Sequence, residues 1–274
     1  EGSAVRDFSD PPKIVVGERT PGAGAPVFAL YEGIHAPRFA TSIETAELVK
    51  YADNSFHALK VVFANEVGAI ARGYGIDGRE VMDVFCADTK LNLSQAYLRP
   101  GFAFGGSCLP KDLRALQRAA ADRKVAVPML DALSASNERQ IDRALELVRG
   151  VGEKEVGLVG LAFKPGTDDL RESALVTLSE KLMEEGFHLR IHDPSVCESR
   201  LVGSNRAFVD RHLGVLSDLL VDSLDELDPC RVVVLGHPTD EATVERWLGD
   251  GKHVIDLVGT VPGPESPNYL GISW

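Results

Sequence analysis

Hydrophobic and polar positions change their spacing twice along this chain. From Lys13 to Glu18 (Lys-Ile-Val-Val-Gly-Glu) a short apolar run entered through Pro11-Pro12 predicts a buried strand. A Gly/Pro/Ala turn, a short helix over Pro26–Gly33 and a second strand over His35–Thr41 follow. From Thr41 the period becomes helical: Thr41-x-x-Glu44 has capping-box spacing, and no Gly or Pro occurs before Gly68. That predicts a helix of about 25 to 30 residues, well above the mean of about 11 to 12, as in helices that join two parts of a molecule. Asp77-x-x-Glu80 predicts a helix to about Asp88, Pro110 suits the first turn of another, and Pro128–Arg149 reads as a fourth.

After Gly150 the class changes. Val156–Phe163 is a β run, Glu172–Glu185 is amphipathic and ends on Gly186 as a C-cap, and Leu189–Ile191 is a second β run. This is a βαβ unit and therefore parallel sheet. Arg231–Leu235 and His253–Val258 add strands around a helix over Asp240–Leu248. The fold class expected is α/β in three parts. Residues 1–40 form a partial α/β piece, 41–125 a long helix with a helical region, and 126–274 a Rossmann-like parallel-sheet domain.

Composition narrows the function. The 274 residues are 44% hydrophobic, enough for ordinary cores, and 29 basic against 41 acidic residues give a net charge of −12. With a pI near 5.1 and scattered Lys and Arg, no nucleic acid partner is expected. A small anion held by two or three placed cations remains compatible. Apolar runs fall far short of the roughly 20 residues of a membrane span, so no membrane partner is expected. The first residues lack the features of a signal peptide, and Cys86, Cys108, Cys197 and Cys230 form no C-x-x-C pair, which fits a reducing cytoplasm and no metal.

Gly73-Tyr74-Gly75-Ile76-Asp77-Gly78 satisfies G-x-G-x-x-G but follows a helix, so a helix C-cap and tight turn are expected there. Gly157 and Gly160 follow a β run but lack the third glycine. The strongest chemical segment is Arg99-Pro-Gly-Phe-Ala-Phe-Gly-Gly-Ser-Cys108-Leu-Pro-Lys111-Asp112. Its glycines let backbone approach a ligand, and Cys108 sits two residues before a helix-starting Pro, where helix N-terminus and Lys111 favour a thiolate. Asp112 is placed to position a water. On the long helix, Lys50, Asn54, His57, Val61, Asn65 and Gly68 fall within an arc of roughly 80°. That arc is either a solvated face or a ligand-lining stripe whose Lys and Asn donate to a developing oxyanion. In Phe163–Ser173, Lys164 and Arg171 suit a phosphate, and Arg171 also suits an ion pair with Asp168 or Asp169.

At these segments the chain resembles the nucleotide-sugar 6-dehydrogenases, the UDP-glucose and GDP-mannose dehydrogenase family. The strings Glu-Thr-Ala-Glu-Leu-Val-Lys-Tyr-Ala-Asp-Asn, Phe-Ala-Asn-Glu, Pro-Gly-Phe-Ala-Phe-Gly-Gly-Ser-Cys-Leu-Pro-Lys-Asp and Phe-Lys-Pro-Gly-Thr-Asp-Asp-Leu-Arg-Glu-Ser carry the likeness, which extends from Glu1 to Trp274. His-Ala-Leu-Lys-Val and Asp-Gly-Arg-Glu-Val-Met-Asp-Val lean toward the GDP-mannose branch, which supplies GDP-mannuronate for alginate. The resemblance implies oxidation of the sugar C6 alcohol to a carboxylate with two NAD⁺ in succession. It casts Cys108 as the nucleophile toward the C6 aldehyde, Lys50 and Asn54 as stabilisers of the C6 oxygen, and Asp112 as the group assisting water. It further implies substrate contacts from Glu1, His57, Asn65, Tyr97, Arg99, Phe102, Gly105 and Lys164, with Lys111 and Arg171 near NAD. Tyr97 and Arg99 are expected to reach across a homodimer interface.

The chain departs from the family pattern in several places. The N-terminal Rossmann domain and a catalytic Glu expected a few residues before Glu1 are outside this sequence, so residues 1–40 read as a remnant of that domain and the fragment is expected to be inactive alone. Ala96 stands where GDP-mannose enzymes tend to have Tyr, and Ala174 where Pro is common. UDP-glucose or a UDP-N-acetylhexosamine is the alternative substrate. From other classes, the alternatives are an NAD-independent thiol hydrolase using Cys108 with His57, and a nucleotide-sugar-binding module.

Overall fold

A computed structural model describes residues 4–76, 78–94, 101–214, 216–259 and 266–272. The chain divides into two compact units, Glu1–Val67 and Gly68–Trp274. In the first, α1 (Ala4–Ser9) precedes β1 (Ile14–Gly17), α2 (Ala25–Ala29) and β2 (Arg38–Thr41), and β1 and β2 pair in parallel with Ile14 opposite Arg38. Lys13 Nζ donates to Asp53 at 2.9 Å, tying the foot of β1 to α3 (Ile43–Gly73).

The long helix starts and stops later than its sequence signal. Thr41 is occupied as the last residue of β2, its carbonyl accepting from Glu18 N–H at 2.7 Å. Ser42 is the cap instead: its Oγ accepts from Thr45 N–H at 3.1 Å, and its carbonyl takes the first helical bond from Ala46. Gly68 does not end α3. It stays helical, and the start of α4 (Gly78–Cys86) packs on it: a Cβ on Gly78 would lie 2.7 Å from Gly68 Cα. Helix α3 ends at the G-x-G-x-x-G string, where Gly75 is left-handed (φ 77°) and Ile76 N–H returns to Ala71 C=O, a Schellman closure. The expected cap Asp77 lies outside the described residues.

The second unit continues with α5 (Leu109–Asp122), α6 (Pro128–Val151), β3 (Glu155–Val159), α7 (Ala174–Glu184), β4 (His188–His192), α8 (Gly203–His212), β5 (Val232–Leu235), α9 (Glu241–Gly249), β6 (His253–Asp256) and β7 (Tyr269–Gly271). Its sheet is wholly parallel with order β4-β3-β5-β6-β7. Alternation along β5 builds two cores. Val232 and Val234 join Leu158, Leu178, Leu182 and the α6 stripe Ile141, Ala144, Leu145, Val148 on one face. Val233 and Leu235 meet Leu227, Val244 and Trp247 on the other.

Around the first βαβ unit two boundaries differ from expectation, as do those of α2 (Ala25–Ala29 for Pro26–Gly33), β2 (Arg38–Thr41 for His35–Thr41) and β6 (His253–Asp256 for His253–Val258) elsewhere. The apolar run from Val156 is strand only to Val159, because left-handed Gly160 (φ 89°) turns the chain out and the buried Asp193 carboxylate takes Leu161 and Ala162 N–H at 2.8 and 3.0 Å. Helix α7 begins at Ala174, not Glu172: Ser173 caps it, its Oγ accepting from Leu175 N–H at 3.2 Å and donating to Leu161 C=O at 2.7 Å. Glu172 sits outside the helix with a positive φ of 53°. Helix α8 was not expected, since among its residues only Val209 is buried and its apolar period is weak.

Candidate active site

Cys108 is the N-cap of the 14-residue α5, exposed, with Pro110 in the first turn behind it and its carbonyl accepting from Asp112 N–H at 3.0 Å. Its Sγ lies 4.0 Å from Ser107 Oγ. Lys111 and Asp112 occupy the exposed first turn with 3.8 Å between Nζ and Oδ1. Helix dipole and backbone N–H groups therefore converge on the end where the thiol stands.

The turn before Cys108 is fixed from two sides. On α6, Asn137 and Gln140 are three apart and so share a face. The Asn137 amide pairs with Phe104 N–H and C=O at 2.9 Å each, and Gln140 Nε2 donates to Gly101 C=O at 2.6 Å. On the other side lies the β3–α7 loop. Gly106 N–H donates to Glu172 C=O at 3.1 Å, and Gly106 is left-handed (φ 86°) with Phe163 where a Cβ would go, 2.6 Å from the ring. A Cβ on Gly105 would lie 2.5 Å from Glu172 O. The glycines of the Cys108 segment thus let two backbones touch, and two of the segments singled out in the sequence become one site.

In the β3–α7 loop, Arg171 makes a two-pronged pair with Asp169, Nε and Nη2 each 2.8 Å from an oxygen. The guanidinium's hydrogen bonds hold the Asp169 carboxyl below the ordinary carboxylate range against the opposing effect of burial. Asp169 in turn raises Arg171 through the same hydrogen bonds and its charge. Of the two readings of Arg171, the ion pair is formed. Lys164 is exposed, its Nζ 5.3 Å from the Phe163 ring centroid, and among the described residues it has no carboxylate partner. Arg114 on α5 clasps Glu172 at 2.8 and 2.6 Å, and Asn205 on α8 holds Leu170 N–H and Asp168 C=O.

A cleft of about 330 Å³ opens beside this junction, lined by Phe102, Gly105, Lys164, Ser173, His237 and Val258 among others. It lies beyond the carboxyl ends of β3 and β5. The chain leaves β3 toward β4 on one side and later resumes at β5 on the other, so this is the switch point at which open parallel sheets bind ligands. His237, unremarked in the sequence, is buried in the cleft wall, its Nε2 2.8 Å from Ala162 C=O. Sequence gave no signal for it, because its role arises from strand adjacency. Arg114, Asn137 and Gln140 were also missed, although polar residues repeated on one face of a packed helix are a usable cue.

Lys50 is exposed on α3 in the first unit. Asn54, His57 and Asn65 lie on the same helix, but their side chains are outside the described residues, as are Glu1, Tyr97 and Arg99. Among the described residues no group of three His, Cys, Asp or Glu is placed to hold a metal, and no helix is long and apolar enough to cross a membrane.

Residues 44–139 match the central-domain model of the UDP-glucose/GDP-mannose dehydrogenase family, and 157–260 match that family's UDP binding domain. GDP-mannose 6-dehydrogenase of Pseudomonas putida is 46% identical over all of this chain and 64% of its own length. UDP-glucose 6-dehydrogenase TuaD of Bacillus subtilis is 33% identical over 71% of this chain and 42% of its own. The crystal structure of a ternary complex of GDP-mannose dehydrogenase from Pseudomonas aeruginosa superposes with a TM-score of 0.92 at 46% identity, covering all of this chain and 63% of that one. The chain therefore spans somewhat under two thirds of the GDP-mannose relatives it matches end to end. Two domain models of one family in their proper order, on an α/β fold that one of its solved members shares, establish that the chain belongs to the UDP-glucose/GDP-mannose dehydrogenase family.

Proposed function

We propose that this chain is the C-terminal, nucleotide-sugar-binding and thiol-bearing part of a GDP-mannose 6-dehydrogenase, an oxidoreductase that converts GDP-mannose to GDP-mannuronate for alginate-type polysaccharide in the cytoplasm. The observation that carries it is the junction of the Cys108 helix terminus with the Lys164–Arg171 loop at a sheet switch point. Identity of 46% to GDP-mannose enzymes along the whole chain, against 33% over 71% of it for a UDP-glucose enzyme, favours guanosine diphosphate and mannose. A uridine nucleotide in the same cleft is the second reading, favoured by the description of the matched domain as UDP binding.

In this reading NAD⁺ supplies the hydride acceptor, twice per turnover. The turn after β3 does not fit its pyrophosphate, because Leu227 and His237 fill the space in front of Gly157 and Gly160. We place most of the cofactor site outside this chain, with Lys111 and Arg171 contributing cations at its edge, and the chain by itself inactive. The chain's own residues act on the sugar. Cys108 Sγ adds to the C6 aldehyde to give a thiohemiacetal, and once that carbon is oxidised the thioester is cleaved by water positioned by Asp112, which releases the carboxylate and restores the thiol. Lys50 and Asn54 donate to the C6 oxyanion. Lys164, Phe102 and Gly105 hold the nucleotide sugar in the cleft, and Glu1, His57, Asn65, Tyr97 and Arg99 complete its contacts.

A homodimer belongs to the same reading. Leu48, Phe56 and Leu59 are exposed on α3 and fall within about 80° of one another, on the side of the helix opposite the Lys50 stripe. The apolar side of α3 is thus available to a partner, to which Tyr97 and Arg99 would lend side chains.

Isothermal titration of the chain with GDP-mannose, UDP-glucose and NAD⁺ tests the reading. GDP-mannose is expected to bind, NAD⁺ alone is not, and Cys108→Ser should leave GDP-mannose affinity within about threefold of the unmodified chain, since nucleotide contacts are made elsewhere. Preference for UDP-glucose would transfer the assignment to the second reading. An NAD-independent ester hydrolysis abolished by Cys108→Ser would overturn both in favour of a thiol hydrolase.

A further inference from the structure

His237 lies in the cleft wall just after β5, yet its side-chain contacts run into the turn after β3. Its Nε2 stands 2.8 Å from Ala162 C=O, and since a carbonyl only accepts, that nitrogen carries the hydrogen. Its Nδ1 stands 3.7 Å from Asp193 Oδ2, and its ring fills the space in front of Gly160, where a Cβ would lie 2.3 Å from His237 Cγ. Asp193 takes Leu161 and Ala162 N–H, and Ser173 Oγ donates to Leu161 C=O at 2.7 Å. Every backbone N–H and C=O of Leu161 and Ala162 is thus held by a side chain, and those of Asp193, Ser173 and His237 are all nine-tenths or more buried. Buried polar groups so placed fix the backbone, because leaving one unpaired is costly. The next residue, Phe163, has its ring against Gly106, and Lys164 Nζ stands 5.3 Å from that ring's centroid. Lys164 lines the cleft, is exposed and, among the described residues, is held by no carboxylate, so its place is set by the backbone behind it.

We infer that His237 is a positioning residue for Lys164. Its bond to Ala162 C=O fixes the chain from which Phe163 and Lys164 enter the cleft, so that the ammonium meets a diphosphate without a further ordering step. The inference rests on the reading above, in which the cleft holds a nucleotide sugar and Lys164 is one of its cations. A direct contact of His237 with the ligand would be a different arrangement: its contribution would add to that of Lys164, whereas positioning makes the two depend on each other.

The test is a double-mutant cycle read as GDP affinity by isothermal titration of this chain. Lys164→Met is expected to weaken GDP binding about tenfold in the unsubstituted chain, the worth of one charge-assisted hydrogen bond. His237→Leu, which cannot donate to Ala162 C=O, should weaken GDP about fivefold, and in that background Lys164→Met should cost less than about twofold. His237→Gln, whose amide nitrogen stands as many bonds from Cα as Nε2 does, should restore most of the affinity and most of the Lys164 effect. That rescue separates the hold on the carbonyl from the packing of the ring. Should His237→Leu not fold, His237→Asn, polar but one bond short of the carbonyl, takes its place in the cycle. Equal costs of Lys164→Met in both backgrounds, or a His237→Gln chain that behaves as His237→Leu does, would overturn the inference and leave the functional reading standing. No binding of GDP to the unsubstituted chain, or a Lys164→Met without effect there, would overturn the functional reading and this inference with it.

Discussion

Gly106 shows how one hydrogen atom in place of a side chain sets the site. Its φ of 86° disfavours any L-residue, and a Cβ would stand 2.6 Å from the Phe163 ring. Gly106→Ala should therefore cost about 2 to 4 kcal/mol, the sum of left-handed strain and overpacking, read as a lower urea midpoint at unchanged slope. Shortening Phe163 to Ala in the same chain should recover the steric share only. Asp169 gives the pH-dependent counterpart. Its carboxyl is depressed by Arg171, so its contribution is present above the unfolded aspartate value near 4 and is lost as pH falls through the lower folded value. With Arg171 42% exposed that contribution is under about 1 kcal/mol. Asp169→Asn should lower stability at pH 7 by that order, and the difference from the unmodified chain should shrink as pH falls below the unfolded aspartate value in urea titrations. An undiminished difference at low pH would mean that shape, not charge, matters at Asp169.

At the scale of elements, caps decide boundaries that periodicity leaves open. Thr41-x-x-Glu44 and Ser42-x-x-Thr45 are both plausible starts for α3, and only the pairing of β2 with β1 shows that Thr41 is committed to the ladder. Ser42→Ala should cost about 0.5 to 2 kcal/mol by thermal or urea unfolding. Ala174 opens α7 at N1, where the amide is outside the helical ladder, and Ser173 before it is extended (φ −65°, ψ 128°) as a residue preceding proline prefers. Ala174→Pro is expected to add about 0.4 to 1 kcal/mol by restricting the unfolded chain. A loss instead would show that a ring is crowded by Gly105, whose Cβ position is 2.9 Å from the Ala174 nitrogen. Strands of the second unit were legible in sequence because Val156, Val232 and their neighbours are apolar without interruption, as in sheets covered on both faces. Helix α8 and the three-residue β7 were not, one for want of buried residues and the other for length. Within the site, Cys108, Lys164 and Arg171 were legible because each stands in a dense run of glycine or charge. His237 and Arg114 were not, since what distinguishes them is a neighbour 75 or 58 residues away in sequence.

For the molecule as a whole, the two units differ in how much they bury. The second encloses its five parallel strands between two apolar clusters, with Val232, Val233, Val234 and Leu235 all at 0% exposure. In the first, the buried hydrophobic residues among those described are Ile14 and Val16, on a sheet of two strands. A two-stranded sheet is marginal in water without a covered face, and local opening follows buried apolar area. Hydrogen exchange by mass spectrometry on the chain should therefore find the amides of β5 and β3 open only with global unfolding. Those of β1 and β2 should exchange at least 100-fold faster, a gap of about 2.7 kcal/mol in opening free energy. Equal protection would mean either that the apolar residues exposed on the first unit, Phe8, Val27 and Phe39 among them, are covered in solution by a second copy of the chain, or that the sheet is stable by itself. Repeating the exchange across a dilution series then separates a second copy of the chain, whose cover would fall away with concentration, from an intrinsic stability that would not. The second outcome would show that two parallel strands braced by the Lys13–Asp53 bond to α3 are enough to hold a sheet of this size.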